Sequence, residues 1–351
     1  NIRNVVSSDP QLGSLPSKQS MMMLSRYLPA VLSILYFSTV VSDVKGLSTT
    51  PKAQPPSNNP DVIRSFVFGN EARCWELLSP STEEADDEED EVEYWFPTTR
   101  RYFEFSIPSS SVESTSTITT RQTSFGCGKL GYELWDSSIA LCLYLGQQQS
   151  LVQGKRILEL GSGCGLPSVV CRDLLQADAV LATDFWQKED DTFDGDRLVP
   201  TKFHGMNLEY NVVQRNANSN SVTETAVQRL DWHDRESAVS ARDSFRPDLI
   251  IGSDLVYYPM DIEPLLNVLE ILLIGDVDDK NKEESLSENK TQAVLVVALA
   301  PAEREALPEF RSKLPSRFSE SHVVTMKEVS LVCEDSDGDN PTFLTIDIIP
   351  K

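Results

Sequence analysis

A glycine-rich stretch, GSGCG, directly follows the apolar run RILEL and precedes a segment with helical spacing. Its glycines, Gly161, Gly163 and Gly165, can turn sharply and let a ligand approach the backbone amides at a helix start. Dinucleotide-binding loops have the spacing GxGxxG and seat a pyrophosphate. This loop instead has the spacing GxGxG, is preceded by Glu159 and contains no lysine or arginine that could meet phosphate charge. We therefore expect an uncharged or cationic ligand.

Polar or aromatic side chains stand at the ends of three further apolar runs. Asp184 follows AVLAT, and a carboxylate at this place can accept both hydroxyls of a ribose. Asp231 and Trp232 follow AVQRL, where they offer an acceptor for an adenine amino group and a flat surface for its ring, although a tryptophan here can also belong to the core. Ser253 ends DLIIGS and is followed by Asp254. Because the carboxyl ends of parallel strands meet at one edge, we expect one crevice lined by these side chains.

Five short apolar runs carry these positions, and the segments between the runs are long enough for crossovers. The runs are 156–160, 179–183, 226–230, 248–253 and 293–300. Strands that are buried on both faces have this composition, which predicts a parallel sheet with helices on each side. Two later segments, 323–332 and 342–349, are joined by EDSDGDNP, which predicts an antiparallel hairpin. The predicted fold class is α/β, a Rossmann-like seven-stranded sheet of five parallel strands plus a C-terminal antiparallel hairpin, flanked by helices.

The residues upstream of this sheet predict a helix and a small β extension ahead of the main domain. Apolar spacing in LWDSSIALCLYLG predicts a helix from near Trp135 to Gly146. VIRSFVF at 62–68 and TTRRYFEFSIP at 98–108 have aromatic and β-branched character, which predicts strands. We therefore divide the chain into an upstream extension, a small N-terminal β extension with an acidic loop at 83–93, and the main domain, which span 1–60, 61–124 and 125–351.

The upstream extension contains RYLPAVLSILYFSTVVS at 26–42, which pairs a positive charge with an apolar run of about fifteen residues, shorter than the ~20 that span a bilayer. This pattern is typical of the core of a signal for secretory or organelle targeting. A short anchor, or a disordered or untranslated segment, is the alternative, since MMM at 21–23 resembles a translation start. We expect no stable membrane span.

The formal net charge of -23 argues against nucleic acid as a partner, because nucleic-acid affinity depends on lysine and arginine contacts. Much of the negative charge lies in two runs, 83–93 and 275–290, which predict solvated loops. Alternatively, these acidic runs could attract a partner protein that has a basic surface. The six cysteines form no CxxC pair and the three histidines are scattered, which predicts no metal site and a reducing compartment.

The order of these motifs resembles that of a known enzyme family. ELGSGCG, TD, NLEYN at 207–211, LDW and GSDLVYY together look like the seven-β-strand (class I) S-adenosylmethionine-dependent methyltransferases. Within that class they resemble the protein lysine methyltransferases that carry a DxxY motif, of the methyltransferase-like 21 or family 16 type, and Asp254 and Tyr257 provide that motif. The likeness extends from about Ser124 to Pro350.

The resemblance implies a function and a set of site residues. It implies S-adenosyl-L-methionine as cofactor and a lysine side-chain amine of a protein as acceptor. Asp254 and Tyr257 would be the catalytic residues at the acceptor site. The cofactor would be held by Trp135, Glu159, Gly161, Ser162, Gly163, Asp184, Asp231, Trp232 and Ser253.

The sequence also departs from the family pattern at two places near the site. Ser253 stands where many relatives have alanine, and Pro167 and Ser168 open the helix after the glycine loop. Neither should change the chemistry. The acidic insertion at 83–93, in contrast, puts the identity of the substrate in doubt.

Other functions remain open at this stage. A small-molecule N-methyltransferase would use the same sheet and cofactor loop, because a fold does not fix a substrate. A non-catalytic interaction module with a vestigial pocket would bind a basic partner through its acidic loop. An NAD-dependent enzyme is disfavoured by the loop spacing. By resemblance we expect a cytoplasmic monomer whose protein substrate has a basic surface.

Overall fold

The computed structural model describes residues 62–68, 72–78, 98–107, 117–123, 130–186, 202–213, 223–275, 291–299, 304–333 and 340–351. All of them belong to one compact unit that spans Lys52–Lys351. The segment at 26–42, the acidic loop at 83–93 and nearly all of the acidic run at 275–290 lie outside the described residues. What we predicted for them therefore stays a prediction.

The described residues form one mixed sheet of eleven strands, with the order β4-β3-β2-β1-β10-β11-β9-β8-β5-β6-β7. The strands are β1 Val62–Phe68, β2 Ala72–Leu77, β3 Thr98–Ser106, β4 Ile118–Thr123, β5 Arg156–Leu160, β6 Ala179–Asp184, β7 Glu224–Arg229, β8 Leu249–Ser253, β9 Gln292–Ala298, β10 His322–Cys333 and β11 Thr342–Pro350. The helices are α1 Asp136–Gln147, α2 Leu166–Asp173, α3 Lys202–Val212, α4 Arg235–Phe245, α5 Ile262–Leu273 and α6 Ala306–Arg317.

The sheet contains the predicted parallel strands and C-terminal hairpin, but it has eleven strands rather than seven. Strands β5 to β9 pair in parallel. The C-terminal hairpin then adds β11 antiparallel to β9 and β10 antiparallel to β11. Strand order therefore reverses between β5 and β8, and an open α/β sheet binds its ligand at such a reversal, beyond the carboxyl ends of its strands.

The N-terminal extension differs from the prediction in extent and in connection. It has four strands rather than two, and β1 pairs antiparallel with β10, with Phe66 opposite Cys333. The extension is therefore not a separate small sheet but a continuation of the main one. Sequence patterns did not show this because β4, ITTRQT, is short and polar, and because the pairing joins segments from opposite ends of the chain.

Both faces of the sheet are covered by helices, as its apolar strands require. The adjacent residues Ile157 and Leu158 of β5 are fully buried in two different hydrophobic clusters, one on each face. The first cluster includes the apolar residues of α1 and α2, and the second includes those of α4, α5 and α6. This alternation explains why β5 reads as a continuous apolar run.

A buried ion-pair cluster joins the N-terminal extension to the start of α1. The carboxylate of Glu76 accepts hydrogen bonds from Nε of Arg101 and Nε of Arg64, both at 2.6 Å. Arg101 also donates to the carbonyl of Leu134 at 2.8 Å, and Arg64 donates to Asp136 at 3.2 Å. The extension thereby binds the residues on both sides of Trp135, through the backbone of Leu134 and the side chain of Asp136.

Candidate functional site

The glycine loop between β5 and α2 has backbone geometry that favours glycine. Gly161 and Gly163 have φ angles of 57° and 55°, in the left-handed region. A Cβ atom on Gly161 would lie 2.6 Å from Cδ2 of Leu255, so the loop also depends on the missing side chain. Ser162 ties the loop to β6, because its N–H donates to the carbonyl of Thr183 at 3.0 Å. The loop is therefore held close to the sheet edge.

Glu159 lies beneath this loop rather than at its surface. Its side chain is fully buried, and one carboxylate oxygen accepts hydrogen bonds from the N–H of Ser168, at 3.0 Å, and from the Ser168 hydroxyl. Burial raises the pKa of Glu159 to about 8, although the two hydrogen bonds from Ser168 act in the opposite direction. The structure thus places Glu159 as a support for the start of α2, and its predicted contact with a cofactor stays a prediction.

Asp184, at the end of β6, reaches back to the glycine loop. Its Oδ2 accepts from the N–H of Gly163 at 2.7 Å, and its Oδ1 accepts from the N–H of Phe185 at 2.6 Å. A carboxylate in this position can accept further hydrogen bonds from the paired hydroxyls of a ribose. It also repels a phosphate that approaches the same amide. The geometry therefore agrees with the expectation of a ligand without phosphate.

Asp231 and Trp232 follow β7 at the same edge of the sheet. Asp231 accepts from Nη2 of Arg229 at 3.1 Å and from the N–H of His233 at 3.0 Å. Trp232 is half-buried and packs on the cluster of α4 and α5, while its Cζ2 would lie 3.7 Å from a Cβ on Gly161. The indole thus adjoins both the hydrophobic core and the glycine loop.

A cleft of about 490 Å³ opens on the far side of Trp232, between the start of α4 and α5. Its lining residues include Trp232, His233, Arg235, Asn267 and Glu270. The glycine loop does not line this cleft, so we do not assign the cofactor to it.

Trp135 and Ser253 come together through the first turn of α1. Trp135 is the N-cap residue of α1, and its carbonyl accepts from the N–H of Ser138 at 2.9 Å. The hydroxyl of Ser138 lies 3.1 Å from that of Ser253, at the end of β8. The structure therefore places the start of α1 beside the strand end that leads into the DxxY residues.

Asp254 and Tyr257 form a compact polar cluster with Arg304, which precedes α6. The guanidinium of Arg304 binds both oxygens of Asp254, with Nη2 at 3.0 Å from Oδ2. The Tyr257 hydroxyl donates to the same Oδ2 at 3.0 Å, and the N–H of Ala298 donates to Oδ1 at 3.1 Å. The side chains of Asp254 and Arg304 are only 7% and 9% exposed, so this pair is shielded from water.

The backbone of Asp254 is itself unusual. Its φ of 59° lies in the left-handed region, and its N–H donates to the carbonyl of Val296 at 2.7 Å. Non-glycine residues in this region cost about 1–3 kcal/mol and are concentrated at functional sites. The turn after β8 is therefore held in a conformation that aims Asp254 at the end of β9.

Burial raises the pKa of Tyr257, and the adjacent charge of Asp254 raises it further. Burial alone would lower the pKa of Arg304, but the charge and hydrogen bonds of Asp254 outweigh that effect and raise it. Tyr257 therefore stays protonated and Arg304 stays charged at physiological pH. Arg304 was not predicted, because no sequence pattern shows that β9, which precedes it, pairs with β8.

These residues together form a cradle that fits S-adenosylmethionine. Gly161 leaves room where a side chain would clash, Asp184 offers carboxylate oxygens for ribose hydroxyls, and Trp232 provides an aromatic surface. Among the described residues, no three His, Cys, Asp or Glu side chains are grouped as a metal ion would need. None of the helices in the described ranges is long and apolar enough to cross a membrane.

An open sheet with this strand order and this cradle defines a class I methyltransferase fold. Solved structures with the fold are distant: the O-methyltransferase from Bacillus cereus in complex with SAH gives a TM-score of 0.37 at 12% identity, over 63% of this chain and 84% of that chain. A likeness this distant does not indicate a shared substrate or activity. The family likeness comes from sequence: residues 114–194 and 196–281 match the lysine methyltransferase family model.

Curated relatives agree with this assignment. Protein N-lysine methyltransferase METTL21A of Danio rerio is 30% identical over 144 residues, which cover 41% of this chain and 56% of the relative. Protein-lysine N-methyltransferase EEF2KMT of Homo sapiens is 28% identical over 145 residues, or 41% of each chain. Protein N-terminal and lysine N-methyltransferase EFM7 of Cryptococcus neoformans is 31% identical over 144 residues, 41% of this chain and 43% of the relative. This chain thus spans about half the length of the relatives that it matches.

Proposed function

We propose that this protein is an S-adenosylmethionine-dependent protein-lysine N-methyltransferase. One observation carries the proposal: Leu255, which lies between Asp254 and Tyr257, packs against Gly161 of the glycine loop, and Asp184 binds that same loop. A cofactor cradle and a polar acceptor site are therefore neighbours. The match to the lysine methyltransferase family over 114–194 and 196–281 supports lysine as the acceptor.

The cofactor would be held mainly by groups that already point to the sheet edge. The Asp184 carboxylate would accept from the ribose hydroxyls, and Trp232 would face the adenine. The rest of the cofactor would be enclosed by the amides of the loop from Gly161 to Gly163 and by the start of α1 at Trp135. None of these groups is a cation, which suits a ligand that itself carries a positive charge.

S-adenosylmethionine supplies a methyl group on a sulfonium, so that attack by an amine lone pair forms a C–N bond while the C–S electrons pass to sulfur. The protein has to position a neutral amine in line with that bond, and positioning alone can supply about 7–11 kcal/mol. A lysine amine is mostly protonated at neutral pH, because its reference pKa is about 10.4. The acceptor site must therefore favour loss of that proton to water, and half-buried Tyr257 contributes by limiting solvation.

All three relatives are named as protein methyltransferases, which supports a protein acceptor. The rim of the site also exposes apolar side chains, with Phe185 at 45% and Met260 at 64% exposure. Exposed apolar groups beside a polar site suit contact with a protein surface. A basic surface on the substrate, a cytoplasmic location and a monomeric state belong to the same proposal and follow from the resemblance and the net charge alone.

The test uses the full chain, methyl-labelled S-adenosylmethionine and a cell lysate. Lysate protein freed of small molecules should acquire label, and mass spectrometry should locate it on lysine. Asp254→Asn and Tyr257→Phe should each lower incorporation by about tenfold, because both disturb the hydrogen bond that orients the Tyr257 hydroxyl. Label found only in the small-molecule fraction would contradict a protein acceptor and favour a small-molecule N-methyltransferase.

A further inference from the structure

The Asp254 carboxylate has no acceptor capacity left for a substrate amine. An ionised carboxylate offers about four lone-pair sites. Oδ1 accepts from Ala298 and Arg304, and Oδ2 accepts from Arg304 and the Tyr257 hydroxyl. All four sites are therefore occupied, and a lysine amine could bind Asp254 only by displacing one of these donors.

The charge of Asp254 is also balanced. Among the described residues, the charged or titratable groups that act on Arg304 are Asp254 and Tyr257, and those that act on Tyr257 are Asp254 and Arg304. The guanidinium carbon of Arg304 lies 4.5 Å from the centroid of the Tyr257 ring. Arg304 thus occupies one aromatic face that could otherwise attract an ammonium.

We propose that Arg304 is a positioning residue that neutralises Asp254 and thereby makes the acceptor site select the neutral form of the lysine amine. Without Arg304, an uncompensated carboxylate would stabilise the ammonium form and raise the pKa of the bound amine, an effect of about 1–3 pH units for a close opposite charge. With Arg304 in place, Asp254 instead accepts the hydrogen bond that the Tyr257 hydroxyl donates, so that this hydroxyl cannot donate to the amine. The Tyr257 hydroxyl oxygen also accepts from Nη2 of Arg304 at 3.4 Å, and its remaining lone pair then accepts an N–H of the neutral amine. This inference rests on the proposed function.

The decisive readout is the pH at which methyl transfer reaches half of its maximum. The wild-type chain and Arg304→Gln are incubated with saturating labelled cofactor and with lysate protein freed of small molecules, and lysine label is measured across pH. Arg304→Gln should lose about tenfold of its activity near neutral pH and recover toward the wild-type rate in alkali. Its half-maximal pH should rise by about one unit. Arg304→Lys should keep the wild-type value, because it retains the charge.

A charge-neutral double variant distinguishes neutralisation from a structural role. Asp254→Asn/Arg304→Gln leaves no bare carboxylate, so its half-maximal pH should return to that of the wild type even if its maximal rate is lower. This comparison remains informative if Arg304→Gln alone is unstable. Arg311→Gln is the matched control, since Arg311 lies on α6 and pairs with Glu328 at the surface, where its side chain is 41% exposed.

Three outcomes would overturn the inference. A uniform loss of activity at every pH in Arg304→Gln would show that Arg304 only anchors α6 to β8. A gain of activity near neutral pH would show that it blocks the acceptor site. A double variant that keeps a raised half-maximal pH would exclude charge balance as the cause. In contrast, a folded wild-type chain that labels no lysine at any pH would contradict the proposed function itself.

Discussion

The carboxylate of Asp184, at the end of β6, accepts a hydrogen bond of 2.7 Å from the backbone N–H of Gly163, in the loop after β5. One side chain thereby fixes the shape of the glycine loop and presents its oxygens to the crevice. The same contact explains why the loop suits a nucleoside with free ribose hydroxyls better than a pyrophosphate. Cofactor affinity should depend on this carboxylate more than on any neighbouring charge.

Asp184→Asn should weaken binding of S-adenosylmethionine by about ten- to a hundredfold, because a hydrogen bond to a charged group contributes about 1.5–3 kcal/mol. Isothermal titration calorimetry would measure the dissociation constant. Glu320→Gln removes an exposed carboxylate away from the site and should leave the constant unchanged. Equal affinities for the wild type and Asp184→Asn would remove Asp184 from the cofactor site.

Gly161→Ala should lower the free energy of unfolding by more than Gly154→Ala does. Both glycines have a positive φ, 57° and 67°, but a Cβ on Gly154 meets nothing within 4 Å, whereas one on Gly161 meets Leu255 at 2.6 Å. The backbone cost alone is about 1–2 kcal/mol. Urea denaturation would give both values.

Leu255→Ala provides the matching test of the clash. If the extra cost of Gly161→Ala comes from contact with Leu255, the double variant should be less destabilised than the sum of the two single variants. Additive effects would contradict the steric explanation.

The free energy of unfolding should fall as pH rises from the usual pKa of Glu159, 4.5, to its pKa in the folded protein, about 8. Its pKa is raised to about 8 in the folded protein, above its usual value of 4.5, so between these pH values the native state holds a proton that the unfolded state has lost. Glu159→Gln cannot titrate and should flatten this part of the stability profile. Urea midpoints measured across the range would check it, and profiles of equal slope would refute it.

Removal of Arg101 should destabilise the fold and disturb the start of α1. Arg101→Met leaves the buried Glu76 carboxylate with Arg64 as its remaining partner, so the cost should lie below the value of about 3–5 kcal/mol for a buried charge left without any partner. Burial alone would raise the pKa of Glu76, but hydrogen bonds and charge from Arg101 and Arg64 outweigh it and lower the pKa. The contribution of the pair is therefore present at neutral pH and is lost as pH falls through that lowered value. Acid titration of thermal stability should show a smaller difference between variant and wild type at low pH.

The sheet core and most of the site edge could be predicted from the sequence, because apolar runs and the residues after them are local signals. The runs at 156–160 and 248–253 correspond closely to β5 and β8. The position of the Glu159 side chain, in contrast, could not be predicted from local sequence signals. It adjoins the glycine loop in sequence, but the orientation of its side chain depends on burial beneath α2, which no spacing reveals.

Contacts between segments that are distant in the sequence could not be predicted either. Arg304 and Asp254 are brought together only by the pairing of β8 with β9, so the composition around either residue gives no sign of the other. The four-stranded extension was underestimated for the same reason, since β1 depends on a partner near the C-terminus.

The pairing of Phe66 in β1 with Cys333 in β10 also bears on how the protein is made. A ribosome releases the first strands of the sheet long before it synthesises the strand that pairs with them. Until then the edge of β1 has unpaired backbone groups, and such an edge invites association with other chains. Pairing across so much of the chain also slows folding. In the nascent protein this edge of β1 therefore stays open until the C-terminal hairpin has been synthesised.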